Sequence, residues 1–335
     1  MTRERLIVPI FIPHEGCPYR CVFCNQRDIT GVRAKADREA VEQTLHAYLR
    51  TGAPLPAHRE AAFYGGSFTG LPQARQEFLL SLAQPWIDSG ELHAVRLSTH
   101  PLFIDDEKLD LLKRYRVETV ELGIQSTDPE VLELSGRPCS LNEIQVAAES
   151  IKRKGFNLGL QLMPGLPGDN EETFRKSADD VARMRPRFVR LYPTLVIRGT
   201  ALHRMYLEKK FVPWDLEVMV ERLKYAVLKF NGAGIRIARV GLPPDPSLLE
   251  NLVAGPFHPA LRYLVESRIC LDWMAAQLRA RAGGAASAIF KVPSKYVSHY
   301  TGHRRENVGK LKAMFRLEDV KFVADESLAS PVLAC

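Results

Sequence analysis

Hydrophobic positions fall into short apolar runs separated by longer stretches with helical spacing. Residues 6–12 are a nearly continuous apolar run, as a strand buried on both faces requires. Residues 37–50 instead set Ala40, Val41, Leu45 and Leu49 on one side of a helix. The alternation then repeats. Strands are predicted at 61–64, 94–98, 117–124, 156–163 and 188–193, and helices at 73–89, 105–115, 142–154 and 170–184. Asp105 or Asp106 is placed to cap the 105–115 helix. Asp128-Pro129 opens a further helix with proline in its first turn, and Gly155 closes the helix at 142–154. Short strands alternating with longer helices imply βαβ units and a parallel sheet. Six such units by residue 193 predict an α/β protein built on a partial (β/α)6 barrel. The barrel is assigned to residues 1–200 and a C-terminal α+β extension to 201–335. The extension reads as helices at 216–230, 261–281 and 307–315 with strands at 235–240, 288–292 and 320–323. Gly283-Gly284 is the expected stop of its long helix.

Parallel α/β barrels bind ligands beyond the carboxyl ends of their strands. Four polar or Gly-rich clusters follow strands here: the cysteine loop, Gly65-Gly66-Ser67, Gln125-Ser126 and Pro164-Gly165. All are expected at one mouth. The two glycines of the second cluster let backbone approach a ligand closely; a plain strand-to-helix turn is the other reading. Cys17, Cys21 and Cys24 have the spacing C-x3-C-x2-C. A single zinc ion normally takes four protein ligands, and no second C-x2-C pair completes such a set, since Cys139, Cys270 and Cys335 are isolated. Thiolate is the usual ligand of iron–sulfur clusters. Three thiols in one loop suit three irons of a 4Fe–4S cluster, leaving the fourth iron open to a small chelating molecule. Cys139, Cys270 and Cys335 read as inert, buried thiols.

Composition narrows the class. With 46% hydrophobic and 25% charged residues in 335, the chain is an ordinary globular protein. Six cysteines in this length are no disulfide framework, and the triplet needs a reducing compartment. No leader pattern follows Met1 and no apolar run approaches membrane-spanning length. A cytoplasmic protein with no membrane partner is expected. The net charge is +7 with His counted neutral, and most of the excess lies after about residue 260, where Lys291, Lys295, His299, His303, Arg304, Arg305, Lys310, Lys312, Arg316 and Lys321 are met by few acids. Such a face attracts polyanions such as RNA; an ordinary solvated surface is the alternative.

The C-x3-C-x2-C loop resembles the signature of the radical SAM superfamily. That resemblance implies that S-adenosylmethionine chelates the open iron. An electron then cleaves its sulfonium, giving methionine and a 5′-deoxyadenosyl radical. A reductase, flavodoxin or ferredoxin is the implied electron donor. Gly65, Gly66 and Ser67 stand where the superfamily has a Gly-Gly-Glu turn that accepts the amino group of S-adenosylmethionine. The wording from Gly123 to Arg137 resembles oxygen-independent coproporphyrinogen oxidase-like members, by which Gln125 and Arg137 contact S-adenosylmethionine. Arg137 otherwise reads as a surface ion pair. Phe23 is expected to pack on the adenine or shield the cluster, or to anchor its loop. Asn25 is expected to bond a cluster sulfur or stabilise the turn. His14 and His100 are candidates near the cluster and the radical, and Tyr192 for relaying a hydrogen atom, with structural roles as the alternative.

The string from Leu191 to Leu202, Met163-Pro-Gly-Leu-Pro-Gly168 and Arg236…Arg239-Val-Gly-Leu-Pro resemble the radical SAM half of the Elongator catalytic subunit, a tRNA-uridine-modifying enzyme. The likeness runs to about residue 270. Three departures limit it. Elongator subunits space their first two cluster cysteines more widely. They carry a C-terminal acetyltransferase domain, for which nothing here has the length. They also have a Glu-Thr-Arg-Pro-Asp-like string where this chain reads Ser98-Thr-His100-Pro-Leu102. The implied activity is therefore radical chemistry on a tRNA nucleoside without acetyl transfer. Radical chemistry on a small molecule such as a tetrapyrrole, or non-catalytic iron–sulfur or haem binding, stand as alternatives.

Overall fold

Apolar runs with no polar alternation are buried on both faces, and here they line up as one sheet. In the computed structural model, residues 5–25, 36–51, 55–281, 286–328 and 330–333 are described. Pro54, the start of the Pro-rich loop expected at 54–56, lies outside them, as do the Gly283-Gly284 stop and Cys335. Strands β1 (Arg5–Phe11), β2 (His58–Tyr64), β3 (Ala94–Thr99), β4 (Val117–Gln125), β5 (Asn157–Leu162) and β6 (Phe188–Leu191) pair in chain order, all parallel. A two-residue strand, β7 (Val196–Ile197), leaves the sheet. Then β8 (Arg236–Val240) returns as its seventh strand, parallel to β6. β1 and β8 are its edges, so the curled sheet is a half-barrel. The sheet thus continues past residue 200, where the extension was expected to begin.

Helices cover the outer face. They are α1 (Arg38–Leu49), α2 (Gln73–Ser81), α3 (Gln84–Asp88), α4 (Asp106–Arg114), α5 (Pro129–Leu134), α6 (Leu141–Arg153), α7 (Glu171–Met184) and, after α8 (Ala201–Leu207), which packs beside Val22 and Phe23 instead, α9 (Leu216–Gly232). Asp37, Asp105 and Asp128 accept first-turn amides of α1, α4 and α5, and Ser140 with Glu143 forms a capping box on α6. The single helix expected at 73–89 is broken at Leu82-Ala83. Pro85 has no N–H for the carbonyl of Ser81, so the second piece starts afresh with proline in its first turn.

After β8 come α10 (Pro246–Asn251), β9 (Leu252–Ala254), which pairs with β7, and the long α11 (Leu261–Ala280). Leu261 and Val265 of α11 belong to the barrel core, while Leu271, Met274 and Ala275 start a second core. That core is completed by β10 (Ser287–Pro293), α12 (Val297–Thr301), α13 (Glu306–Phe315), β11 (Asp319–Asp325) and β12 (Val332–Leu333). One helix thus joins two hydrophobic cores.

Candidate active site

A cavity of about 450 Å³ opens at the carboxyl ends of the barrel strands. Its wall includes Cys17, Cys21, Phe23, Cys24, Gly65, Gly66, Ser67, Gln125 and Arg137. These nine are the residues expected at the cluster and at S-adenosylmethionine, and they meet in one place.

The cysteine loop is held from three sides. His14 N donates to Gly65 O at 2.9 Å and Ser67 N to Glu15 O at 3.0 Å. Val22 N donates to Ser135 O, and Leu202 N to Val22 O. Arg75 clasps the Glu15 carboxylate with two bonds of 3.0 Å. The approach to the turn after β2 is close. A Cβ on Gly66 would stand 2.3 Å from Glu15 O, and one on Gly16 2.2 Å from Ser67 O. Glycine at 66 is therefore explained by packing against the cysteine loop, whereas Gly65, at φ 89°, lines the cavity.

The Cys17 thiol donates to Ser67 Oγ at 3.3 Å. It opens to the cavity, yet crowding by protein atoms pushes its pKa up against the opposing effect of Ser67. Arg137 Nη1 donates to Cys21 Sγ at 3.0 Å, and Nη2 donates to Gly123 O. Among the described residues, the one trio of potential ligand atoms within 4.8 Å of each other is His58, Glu60 and Glu118, at the amino ends of the strands, where Arg96 already pairs with Glu60. Burial pushes Cys139 and Cys270 to about 11, which leaves both as unreactive thiols.

Gln125 ends β4 in a left-handed conformation, φ 68°, at a register shift in the β4–β5 pairing. Its Oε1 is buried without a hydrogen-bond partner. His100 Nδ1 accepts from Leu102 N, so the ring carries its proton on Nε2, and that atom is also buried and unpaired. Burial, then the charge of Arg137, lowers His100 to about 3, so the ring is neutral. Tyr19 and Phe103 pack against it at 5.4 and 5.7 Å. Arg137 Nε is a third unpaired buried atom on the wall.

Other predicted residues are used differently. Phe23 packs on the Val196, Leu202 and Phe211 cluster as well as lining the cavity. Asn25 Nδ2 reaches Arg198 O at 3.2 Å and so ties the cysteine loop to the 191–202 string. His14 and Tyr192 are on the wall. Two residues expected at the mouth, Ser126 and Gly165, are engaged elsewhere. Ser126 Oγ lies 3.2 Å from Ser177 Oγ and accepts from Asp128 N, and Gly165 packs against Trp214.

The floor is polar, which the sequence reading missed. Arg96 (β3) donates to Glu60 (β2) at 2.6 Å and to Glu121 (β4) at 3.1 Å. Arg190 (β6) donates to the other oxygen of Glu121 at 2.6 Å, and Tyr64 O–H donates to Glu121 at 2.8 Å. Burial works against the Glu121 charge, but Arg190, Arg96 and Tyr64 outweigh it and hold its carboxyl below the usual range. Tyr64 is pushed well up by burial and by Glu121. The signal was present: charges of alternating sign in the middle of apolar strands. Arg239 of β8, the register partner of Arg190 in β6, also lines the cavity. It pairs with no acid among the described residues; its Nε donates to Gly241 O.

A parallel half-barrel with a three-thiol loop at its mouth defines the class, and the comparisons agree. Residues 11–181 match the radical SAM superfamily and residues 186–270 the radical SAM C-terminal domain. The chain belongs to the radical SAM superfamily and is an enzyme of it. It is 24% identical over 260 residues to the tRNA uridine(34) acetyltransferase of Methanocaldococcus jannaschii, covering 66% of this chain and 48% of that protein. It is 25% identical over 246 residues to anaerobic coproporphyrinogen III oxidase 1 of Cereibacter sphaeroides, covering 71% and 54%. The chain spans about half the length of these curated relatives. In fold it is similar to the archaeal Elp3 of Methanocaldococcus infernus, at a TM-score of 0.66 and 20% identity over 88% of this chain and 68% of that one.

Proposed function

We propose that this enzyme binds a 4Fe–4S cluster through Cys17, Cys21 and Cys24, cleaves S-adenosylmethionine reductively, and modifies a tRNA nucleoside. The carrying observation is the convergence of three thiols with three unpaired buried polar atoms on one cavity wall. Buried polar atoms without partners are costly unless a ligand meets them.

When bound, the cluster supplies the electron that turns S-adenosylmethionine into methionine and a 5′-deoxyadenosyl radical. The chain's own residues do the positioning. Arg137 offers Nε to a carboxylate while its fork steadies Cys21 and the β4 end. Gln125 Oε1 accepts from a hydroxyl or ammonium, and neutral His100 donates from Nε2. Gly65 and Ser67 bring backbone to the ligand's amino group, and Phe23 closes the apolar side. A reductase, flavodoxin or ferredoxin supplies the electron.

The tRNA reading is supported by the likeness to the tRNA uridine(34) acetyltransferase, by the 191–202 string and by the late basic segment. A second reading, a carboxylate-bearing small molecule such as a tetrapyrrole, is favoured by the coproporphyrinogen oxidase relative and by the unpaired Arg239. The enzyme is read as cytoplasmic: its thiols need reducing surroundings, and among the described residues no helix is long and apolar enough to cross a membrane. Anaerobic reconstitution and reduction with S-adenosylmethionine tests the first half, with 5′-deoxyadenosine expected. Its absence from a fully loaded protein contradicts the enzyme reading. Binding of bulk tRNA that weakens steeply with salt supports the second half, and no binding at low salt contradicts it.

A further inference from the structure

We infer that the loop Gly302-His303-Arg304-Arg305 is a clamp for the backbone of single-stranded RNA, carried on a KH-like module. The inference rests on the reading of the substrate as RNA, and it assigns where that RNA is gripped outside the radical cavity.

The first support is topology. β10 and β11 are parallel neighbours in one small sheet, with β12 antiparallel on the other side of β10. The chain between β10 and β11 forms two helices, α12 and α13, joined by these four residues. The unit has its own core, in which Phe290 and Val292 of β10 meet Leu311 of α13 and Val320 of β11. KH modules hold single strands with a GXXG loop that clamps four backbone nucleotides. Here the first position is glycine at φ 82°, where an added Cβ would lie 2.7 Å from Asn307 N. The fourth position is Arg305, which takes the left-handed φ of 62°, after Arg304 at φ 49°. The loop keeps glycine-like backbone angles and adds two guanidinium groups.

The loop is held in place from below. Asn307 is buried, and its Nδ2 lies 3.0 Å from Ser267 O and Oγ, 3.1 Å from His299 O and 3.2 Å from Tyr300 O. These bonds fix the start of α13 to α11 and α12 whatever the loop side chains do.

Charge is the second support. Between residues 286 and 317 seven Lys and Arg meet a single acid, Glu306. His299, Lys310, Lys312 and Lys321 have acidic partners. His303, Arg304 and Arg305 are exposed, and no acid pairs with them among the described residues. The unpaired Arg304 and Arg305 guanidinium groups at a loop tip suit phosphates. Tyr296 is exposed nearby in sequence with the Lys295 ammonium 5.0 Å from its ring, a surface on which a base can stack.

Position is the third. The His303 ring lies 6.0 Å from that of His258, just before α11. Leu261, the first residue of α11, packs against Gly241, and the residues that follow, Leu242 and Pro243, line the cavity. The loop and the cavity mouth therefore lie toward the same end of the sheet.

The test uses the full-length chain and a fluorescein-labelled ten-nucleotide oligouridine, read by anisotropy between about 50 and 200 mM salt. Arg304→Gly/Arg305→Gly removes both charges and relaxes the left-handed backbone, so folding survives. The expected result is at least about tenfold weaker binding, with the salt slope reduced by about 1.4, for two lost phosphate contacts. Tyr296→Ala is expected to weaken binding without changing the slope. 5′-Deoxyadenosine formation without RNA is expected to be unchanged in both. Wild-type affinity in the double variant overturns the clamp and leaves the RNA reading standing. No binding of the oligonucleotide by the wild type overturns the clamp, and no binding of bulk tRNA at low salt overturns the RNA reading with it. Equal competition by poly-glutamate also overturns the clamp, because it reports a general anion surface.

Discussion

Arg137 Nη1 lies 3.0 Å from Cys21 Sγ, while Nη2 of the same guanidinium donates to Gly123 O at the end of β4. One side chain thus couples the cysteine loop to the strand that carries Gln125. Lysine has one nitrogen where arginine has a fork and cannot make both contacts. Arg137→Lys is expected to retain iron but bind S-adenosylmethionine at least about tenfold more weakly, a loss of about 1.4 kcal/mol. Titration of the reconstituted protein by calorimetry checks this. Unchanged affinity means that the fork is only structural.

Gly66 is fixed by contact, because its Cβ would fall 2.3 Å from Glu15 O. Gly66→Ala is expected to push the cysteine loop off the turn after β2. Iron content after reconstitution should fall by half or more while the circular dichroism stays native, since the barrel core does not include the loop. Full iron loading would show that the two loops separate without consequence.

Glu121 is buried between Arg96 and Arg190. Glu121→Gln preserves shape but leaves two buried guanidinium groups short of a counter-charge. Breaking a buried ion pair from one side costs about 3–5 kcal/mol. Urea unfolding should show a loss of that order at unchanged m-value. A loss under about 1 kcal/mol would mean that water enters the floor and screens the network.

The pH dependence follows from His100. Its pKa falls to about 3 in the folded protein, from a usual value near 6.5. The unfolded chain therefore binds the extra proton first as pH drops. This contribution to stability is whole above about 6.5 and is lost from there down toward 3, by at most ~1.4 kcal/mol per pH unit. His100→Asn keeps an acceptor for Leu102 N and does not titrate. The stability gap between wild type and variant should shrink as pH falls from 7 to 5, read by denaturation at each pH. A constant gap would mean that His100 protonates freely in place.

The rhythm of short apolar runs and helical stretches was enough to read the parallel half-barrel, because a doubly buried strand has no polar alternation to confuse it. Nine residues chosen by position after strands and by motif, from Cys17 to Arg137, do line one cavity. Position after a strand does not settle direction, however. Ser126 sits one residue beyond Gln125 and faces α7, since the left-handed turn at Gln125 redirects the chain. The floor network escaped notice because Glu60, Arg96, Glu121 and Arg190 are 25 to 69 residues apart or more, and only strand register brings them together. The module around Gly302 was hidden for another reason. α12 is five residues long, too short to carry a period, so its two-helix character appears only in three dimensions.

The central claim is that Cys17, Cys21 and Cys24 hold a cluster whose remaining iron takes S-adenosylmethionine. The most direct measurement is electron paramagnetic resonance of the anaerobically reconstituted, reduced protein with and without S-adenosylmethionine, alongside Cys21→Ala. A 4Fe–4S signal that changes on adding S-adenosylmethionine, and is absent from Cys21→Ala, is the predicted result. A signal indifferent to S-adenosylmethionine, or one that persists in Cys21→Ala, contradicts the account.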